Sequence, residues 1–292
     1  MNDFNLSYEK YQAAFETYAI EYTSKMKTNP EILGDSMRYS FLNGGKRVRP
    51  VLALACAEML GVAREEILPY ALALEMIHTY SLIHDDLPAM DNDDFRRGKP
   101  ANHIRFGEAN AILAGDGLLN EAYAICIEQC VKGERYVLAS KYLNECAGIY
   151  GMIAGQSADL YYTSQTDVSE EALWYVQEHK TGKLLLAPLA IASILADNKD
   201  FFALERFGCS LGRLFQMTDD ILDVTGDAAL LGKTTGKDEK EDKLTCVKIF
   251  GLDGAKIRAD MCAHDCFSIL EGVSCDTEFL RGLVEYVLKR SN

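Results

Sequence analysis

HTYSLIHDDLPAMDNDDFRRGKP, residues 78–100, is the stretch around which the rest of the chain is read. It continues an apolar helical segment (71–83), meets two adjacent carboxylates at Asp85 and Asp86, and breaks at Pro88. Asp91, Asp93 and Asp94 follow, then the paired guanidinium groups of Arg96 and Arg97. Five acidic groups within ten residues repel one another unless a cation sits among them. Asp85 and Asp86 also lie near a helix C-terminus, where the macrodipole disfavours anions. Oxygen donors without an accompanying thiolate point to a hard ion such as Mg²⁺, which keeps waters and shares its shell with substrate phosphates. Arginines just beyond suit a phosphate. The bland alternative is a solvated acidic loop, and what decides against it lies elsewhere in the chain.

Going outward from that stretch, helical periodicity dominates. Residues 7–26, 31–43, 51–60, 65–86, 107–131, 135–163, 169–180, 183–196, 200–224, 253–271 and 276–290 read as helix, with no convincing alternating strand. Proline is scarce, at six, and there is no low-complexity linker or short-period repeat, so the expectation is one all-α domain over residues 1–292. A net charge of −14 and a pI of 4.8 make nucleic acid and anionic membrane poor partners. An acidic protein that handles an anionic substrate must therefore concentrate cations locally. The longest uncharged run, 184–196, is too short to span a membrane. Nine cysteines without a CxxC pair, behind a polar N-terminus, suggest reduced thiols on helices and a cytoplasmic setting.

Upstream, Gly44-Gly45-Lys46-Arg47-Val48-Arg49-Pro50 places three cations where one helix is capped and the next begins, a location that favours an anion. His78 lies seven residues before Asp85, two turns along one helix face, and can line the same cavity. Tyr80 and Ser81 lie about one turn from Asp85, roughly 6–7.5 Å along the axis. Downstream, Gln156 and Asp159 are polar residues among apolar neighbours and read equally as satisfied core groups or site residues. Lys180-Thr181-Gly182-Lys183 marks a break between two helices and would suit a diphosphate.

The second acidic motif is Gln216-Met217-Thr218-Asp219-Asp220-Ile221-Leu222-Asp223. At 100° per residue, Asp219 and Asp223 differ by about 40° around a helix and face one way. Like charges so placed need a counter-ion. Two separate aspartate clusters strengthen the metal reading far beyond either alone. Gly232-Lys233-Thr234 falls one residue out of register for a phosphate-binding loop and lacks a preceding strand, so a basic lid is the better reading.

Together GGKRVRP, the DD-x₄-D run followed by RRGKP, and FQMTDDILD resemble, in order and spacing, the all-trans polyprenyl diphosphate synthases, with the bacterial farnesyl diphosphate synthases most alike. The resemblance implies an all-helical, isoprenoid synthase-like bundle around a deep central cavity, working as a homodimer. It implies three Mg²⁺ ions, with Asp85, Asp91 and Asp219 as direct ligands and Asp86, Asp220 and Asp223 as ligands or supports. Arg96, Lys180 and Lys233 would contact the allylic diphosphate, and Lys46, Arg49, His78 and Arg97 would hold isopentenyl diphosphate. Thr181 and Gln216 would offer oxygen dipoles to the developing carbocation. Tyr80, with Ser81 beside it, resembles the gate that stops growth at fifteen carbons, so the expected product is farnesyl diphosphate. Ala101 and Phe95 depart from the pattern, where threonine and leucine are common, but neither is an expected ligand. The alternatives are a geranylgeranyl diphosphate synthase, a terpene cyclase, which would lack the second diphosphate pocket, and a non-catalytic subunit, which tends to lose aspartates.

Overall fold

A computed structural model of the chain describes residues 2–163, 165, 168–226 and 243–289. Four helices come first: α1 (Asn2–Lys25), α2 (Glu31–Phe41), α3 (Val48–Leu60) and α4 (Arg64–Asp85). A short hairpin, β1 (Phe95–Arg96) and β2 (Lys99–Pro100), leads into α5 (Asn102–Phe106), α6 (Glu108–Cys130), α7 (Glu134–Ala147), α8 (Met152–Tyr162) and α9 (Glu170–Val176). A π-helical segment (Gln177–Gly182) then runs into α10 (Lys183–Leu195), followed by α11 (Phe201–Thr225), α12 (Cys246–Glu271) and α13 (Glu278–Lys289).

The centre of the bundle is α10. Every residue from Leu184 to Leu195 is buried, as befits a helix that is apolar all round. Around it α3, α4, α7 and α11 pack their apolar faces, and the buried apolar side chains form one contiguous cluster from Tyr11 to Val287. No helix among the described residues is long and apolar enough to cross a membrane. All nine cysteines are free thiols.

Four local departures from the sequence reading have physical causes. The expected helix 135–163 is two helices, because Gly148 and Gly151 bracket a break between α7 and α8. Residues 95–100 pair as strands, too short to show alternation, around an Arg97-Gly98 turn in which both residues have positive φ (54° and 75°). Asn102–Phe106 adds a helix that was not expected. The expected break at Lys180–Lys183 is absent. Wider π turns keep the backbone bonded while changing the direction of the side chains.

Candidate active site

α4 ends at Asp85, and Asp86 caps it. The chain then folds back on itself: Asp91 N–H donates to the Asp85 carbonyl (2.8 Å) and Asp93 N–H to the Asp86 carbonyl (3.1 Å). Pro88 permits the exit from the helix, as the sequence suggested. The two adjacent carboxylates then part company. Asp86 is buried and takes the Arg96 guanidinium from β1, with Nε–Oδ1 at 2.9 Å. Burial raises its pKa while that hydrogen bond opposes the shift. Asp85 stays partly open, and burial, opposed by Lys180 and reinforced by Asp91, pushes its carboxyl up to about 6. Asp91 pairs with Lys243 Nζ at 3.2 Å.

α11 repeats this division. Both aspartates line a cavity, but Asp219 is partly exposed, whereas Asp220 is buried and accepts from Gln216 Nε2 (2.8 Å), Gln177 Nε2 (3.2 Å) and the Cys246 backbone N–H (2.8 Å). Asp223 is buried as well. Asp86 and Asp220 are thus the buried member of each pair, and Asp85 and Asp219 the less buried one.

The cavity beside Asp219, about 170 Å³, is also lined by Asp159, Lys180, Thr181, Gln216 and Lys243. Lys180 and Thr181 sit in the π-helical segment, which is wedged between α8 and α11 at two glycines. A Cβ on Gly155 would fall 2.0 Å from the Lys180 nitrogen, and one on Gly212 would fall 2.7 Å from the Gly182 Cα. Lys180 Nζ meets Asp159 at 2.5 Å. Burial would lower the Lys180 pKa, but Asp159 and Asp85 outweigh it and raise it. Thr181 Oγ1 donates to Gln216 Oε1 (2.7 Å), whose amide in turn donates to Asp220. That relay uses the threonine proton on Gln216, so the remaining Thr181 lone pairs are acceptors, suited to a developing positive charge.

A second, cationic patch adjoins the first. His78 feels Arg49, Arg97, Arg96 and Arg47, and burial together with those charges lowers its pKa well below normal, so it is neutral at pH 7. Arg49 is brought down to about 10 by burial and by Arg97, while Glu75 and Asp219 hold it up. Its Nε is buried without a hydrogen-bond partner among the described residues. Lys46 is exposed at the edge of the patch. Arg47, read from sequence as a third pocket cation, turns inward instead and is clasped by Glu16 (2.7 Å) and buried Glu75 (2.8 Å). Above these groups Tyr80 is buried, its hydroxyl unpartnered among the described residues, its ring edge-on to His84. Ser81 donates to the His78 carbonyl (2.9 Å).

Lys243 links the two motifs: it lines the cavity with Asp219 and pairs with Asp91, while the charge of Asp85 acts on Lys180 in that same cavity. The carboxylate donor set suits a hard divalent cation. Among the described residues, no three His, Cys, Asp or Glu side chains yet converge as a cage. Ammonium and guanidinium groups occupy Asp86, Asp91 and Asp159 instead. Lys233 lies outside the described residues. Lys243 escaped sequence reading because it sits in the charge-rich run 237–243, where a lysine looks solvated. Asp159, left open between core and site, lines the cavity beside Asp219 and pairs with Lys180.

Residues 30–267 match the polyprenyl synthetase family. A chloroplastic geranylgeranyl pyrophosphate synthase of Capsicum annuum is 45% identical over 90% of this chain and 73% of its own length. Farnesyl diphosphate synthase of Bacillus subtilis (strain 168) is 40% identical over 93% of each. Among solved structures, the geranyltransferase of Helicobacter pylori complexed with magnesium and isoprenyl diphosphate aligns with a TM-score of 0.85 at 34% identity, covering 97% of this chain and 95% of that one.

Proposed function

The chain belongs to the polyprenyl synthetase family and is a prenyltransferase, and from that premise we propose that it makes farnesyl diphosphate. It would condense isopentenyl diphosphate with dimethylallyl and then geranyl diphosphate. The observation that carries this reading is the pairing of an acidic cleft with a separate cationic patch, two anion sites side by side. A cyclase, which ionises one diphosphate, has no use for the second.

Asp85, Asp91 and Asp219 would hold Mg²⁺, with Asp86, Asp220 and Asp223 behind them. When bound, the metal neutralises charge on the diphosphate leaving group. Lys180, together with Lys233 and Arg96, would bind the allylic diphosphate oxygens. As the carbon–oxygen bond breaks, its electron pair leaves with diphosphate, and the Thr181 and Gln216 oxygens face the positive carbon. Lys46, Arg49, Arg97 and neutral His78 would hold isopentenyl diphosphate so that its alkene attacks that carbon. The new carbon–carbon bond forms, and a proton passes to the departed diphosphate.

Product length rests on Tyr80. Relatives named as farnesyl and as geranylgeranyl synthases are similarly close, so overall likeness does not choose between fifteen and twenty carbons. A buried ring one turn from Asp85 supports fifteen. Incubation with Mg²⁺, isopentenyl diphosphate and geranyl diphosphate, read by hydrocarbon length, tests this. Wild type should stop at fifteen carbons and Tyr80→Ala should run longer; a variant that still stops at fifteen removes the gate. A homodimer completes the proposal, supported by exposed Ile112, Leu113, Ile127 and Val131 on and just beyond α6, and tested by light scattering.

A further inference from the structure

The family match begins at residue 30 and ends at 267. Both α1 and α13 lie outside it, yet they touch the machinery. Phe4, Tyr8 and Tyr11 of α1 pack on Phe279 and Tyr286 of α13, with ring centroids 5.1–6.5 Å apart. Tyr8, Gln12 and Glu16, spaced i, i+4, i+8, form one stripe along α1, and each addresses a different residue of the Gly44–Arg47 loop. Tyr8 Oη–H donates to the Lys46 carbonyl (2.6 Å), Gln12 Nε2 donates to the Gly45 carbonyl (3.2 Å), and Glu16 accepts from Arg47 Nε (2.7 Å). From the opposite side, Arg97 donates to the Gly44 carbonyl, and its guanidinium lies so close to Gly45 that a Cβ there would sit 2.7 Å from Cζ.

Gly44, Gly45 and Arg47 all have positive φ (67°, 112° and 52°). The two glycines adopt such angles freely, but Arg47 does not, and its left-handed conformation must be held by what surrounds it. Two of the loop's four carbonyls are held by α1 and one by Arg97, so α1 supplies much of that restraint. The loop in turn delivers Lys46 and leads directly into α3, which carries Arg49.

We propose that the Tyr8–Gln12–Glu16 stripe of α1 is a positioning element for the isopentenyl diphosphate pocket, acting through the 44–47 loop and not through the allylic site. The inference rests on the reading of Lys46, Arg49, His78 and Arg97 as that pocket. None of the three stripe residues needs to touch substrate. Their effect is to fix the loop before the second diphosphate arrives, so that ordering it costs nothing at binding.

Tyr8→Phe keeps the aromatic packing against α13 and removes only the hydroxyl. Gln12→Leu removes the neighbouring donor. In the full-length protein, Tyr8→Phe should raise KM for isopentenyl diphosphate roughly 3–10-fold, the range expected from one lost hydrogen bond, and the double variant should raise it further. KM for geranyl diphosphate, kcat at saturation and the melting temperature should stay close to wild type. Lys46→Ala is measured alongside. If Lys46→Ala raises KM for isopentenyl diphosphate while the double variant leaves it unchanged, the positioning role is wrong and the pocket stands. If KM for both substrates and kcat deteriorate together with a lower melting temperature, α1 is only a packing element and the inference is overturned. If Lys46→Ala has no effect on KM for isopentenyl diphosphate, the pocket assignment fails and this inference fails with it.

Discussion

The two aspartate clusters are built differently. The first straddles the end of α4 and a loop, and its carboxylates are balanced by cations imported from elsewhere: Arg96 for Asp86 and Lys243 for Asp91. The second is continuous within α11, and the donors to Asp220 include two glutamine amides and a backbone N–H. Charge balance by a lysine can be exchanged for another cation, whereas an amide cradle fixes geometry. The first cluster is thus built to trade partners, and the second to stay where it is. Both nevertheless share one feature: the second aspartate of the pair is buried and hydrogen-bonded, and the first is less buried.

The largest test of that feature is catalytic. Asp85→Asn and Asp219→Asn should each lower kcat/KM by roughly 10²–10⁴-fold in Mg²⁺-dependent turnover, the scale of losing a group that stabilises the leaving-group charge. Near-normal rates in either would place the metal elsewhere. Next comes stability. Asp86→Ala would leave Arg96 without its principal counter-ion, which is mostly buried, and should cost about 3 kcal/mol in urea unfolding. Asp220→Ala strands three neutral donors, two side-chain amides and a backbone N–H, and should cost about 1–3 kcal/mol. Equal, negligible losses would erase the distinction between inward and outward carboxylates.

Asp85→Asn sharpens the comparison in the opposite direction. The Asp85 carboxyl titrates near 6 in the fold against 3.8 ordinarily, chiefly through burial. Below 3.8 both folded and unfolded chains carry the proton and nothing is lost. Between 3.8 and 6 the unfolded chain ionises first, so stability drains away, and above 6 the full cost is present. Asp85→Asn should therefore stabilise the metal-free protein at pH 8 by about 1–3 kcal/mol, with the gain shrinking towards pH 4.5. A gain independent of pH would point to packing instead of charge. The smallest effect belongs to Lys243→Met. Removing the exchangeable partner of Asp91 should tighten Mg²⁺ binding to the substrate-free protein about two- to fivefold by calorimetry, as expected for a mostly buried ion pair worth about 1 kcal/mol. Weaker binding would show that Lys243 assists the cation instead of competing with it.

How much of this was visible in the chain itself differs by region. The helices were legible because α10 is apolar throughout and α11 carries its aspartates at helical spacing. The acidic clusters were legible because so many like charges in so few residues have few stable uses. Adjacent residues such as Asp85 and Asp86, or Asp219 and Asp220, were separated only by the family resemblance, since the contacts that bury Asp86 and Asp220 come from Arg96, Gln177 and Cys246 on other elements. Arg47 misled for the same reason: only Glu16 and Glu75, 31 and 28 positions away, draw it inward. The π-helical segment hid behind Gly182, which reads as a helix stop until Gly155 and Gly212 show how closely its neighbours approach.

The claim on which the rest depends is that Asp85 and Asp219 serve one shared diphosphate through divalent ions. Anomalous diffraction from crystals grown with Mn²⁺ and an unreactive thio analogue of geranyl diphosphate would measure this directly. The account predicts anomalous peaks within about 2.5 Å of carboxylate oxygens from both clusters, bridged by the diphosphate, with Lys243 moved off Asp91. Peaks confined to one cluster, or a diphosphate bound away from both, would contradict it.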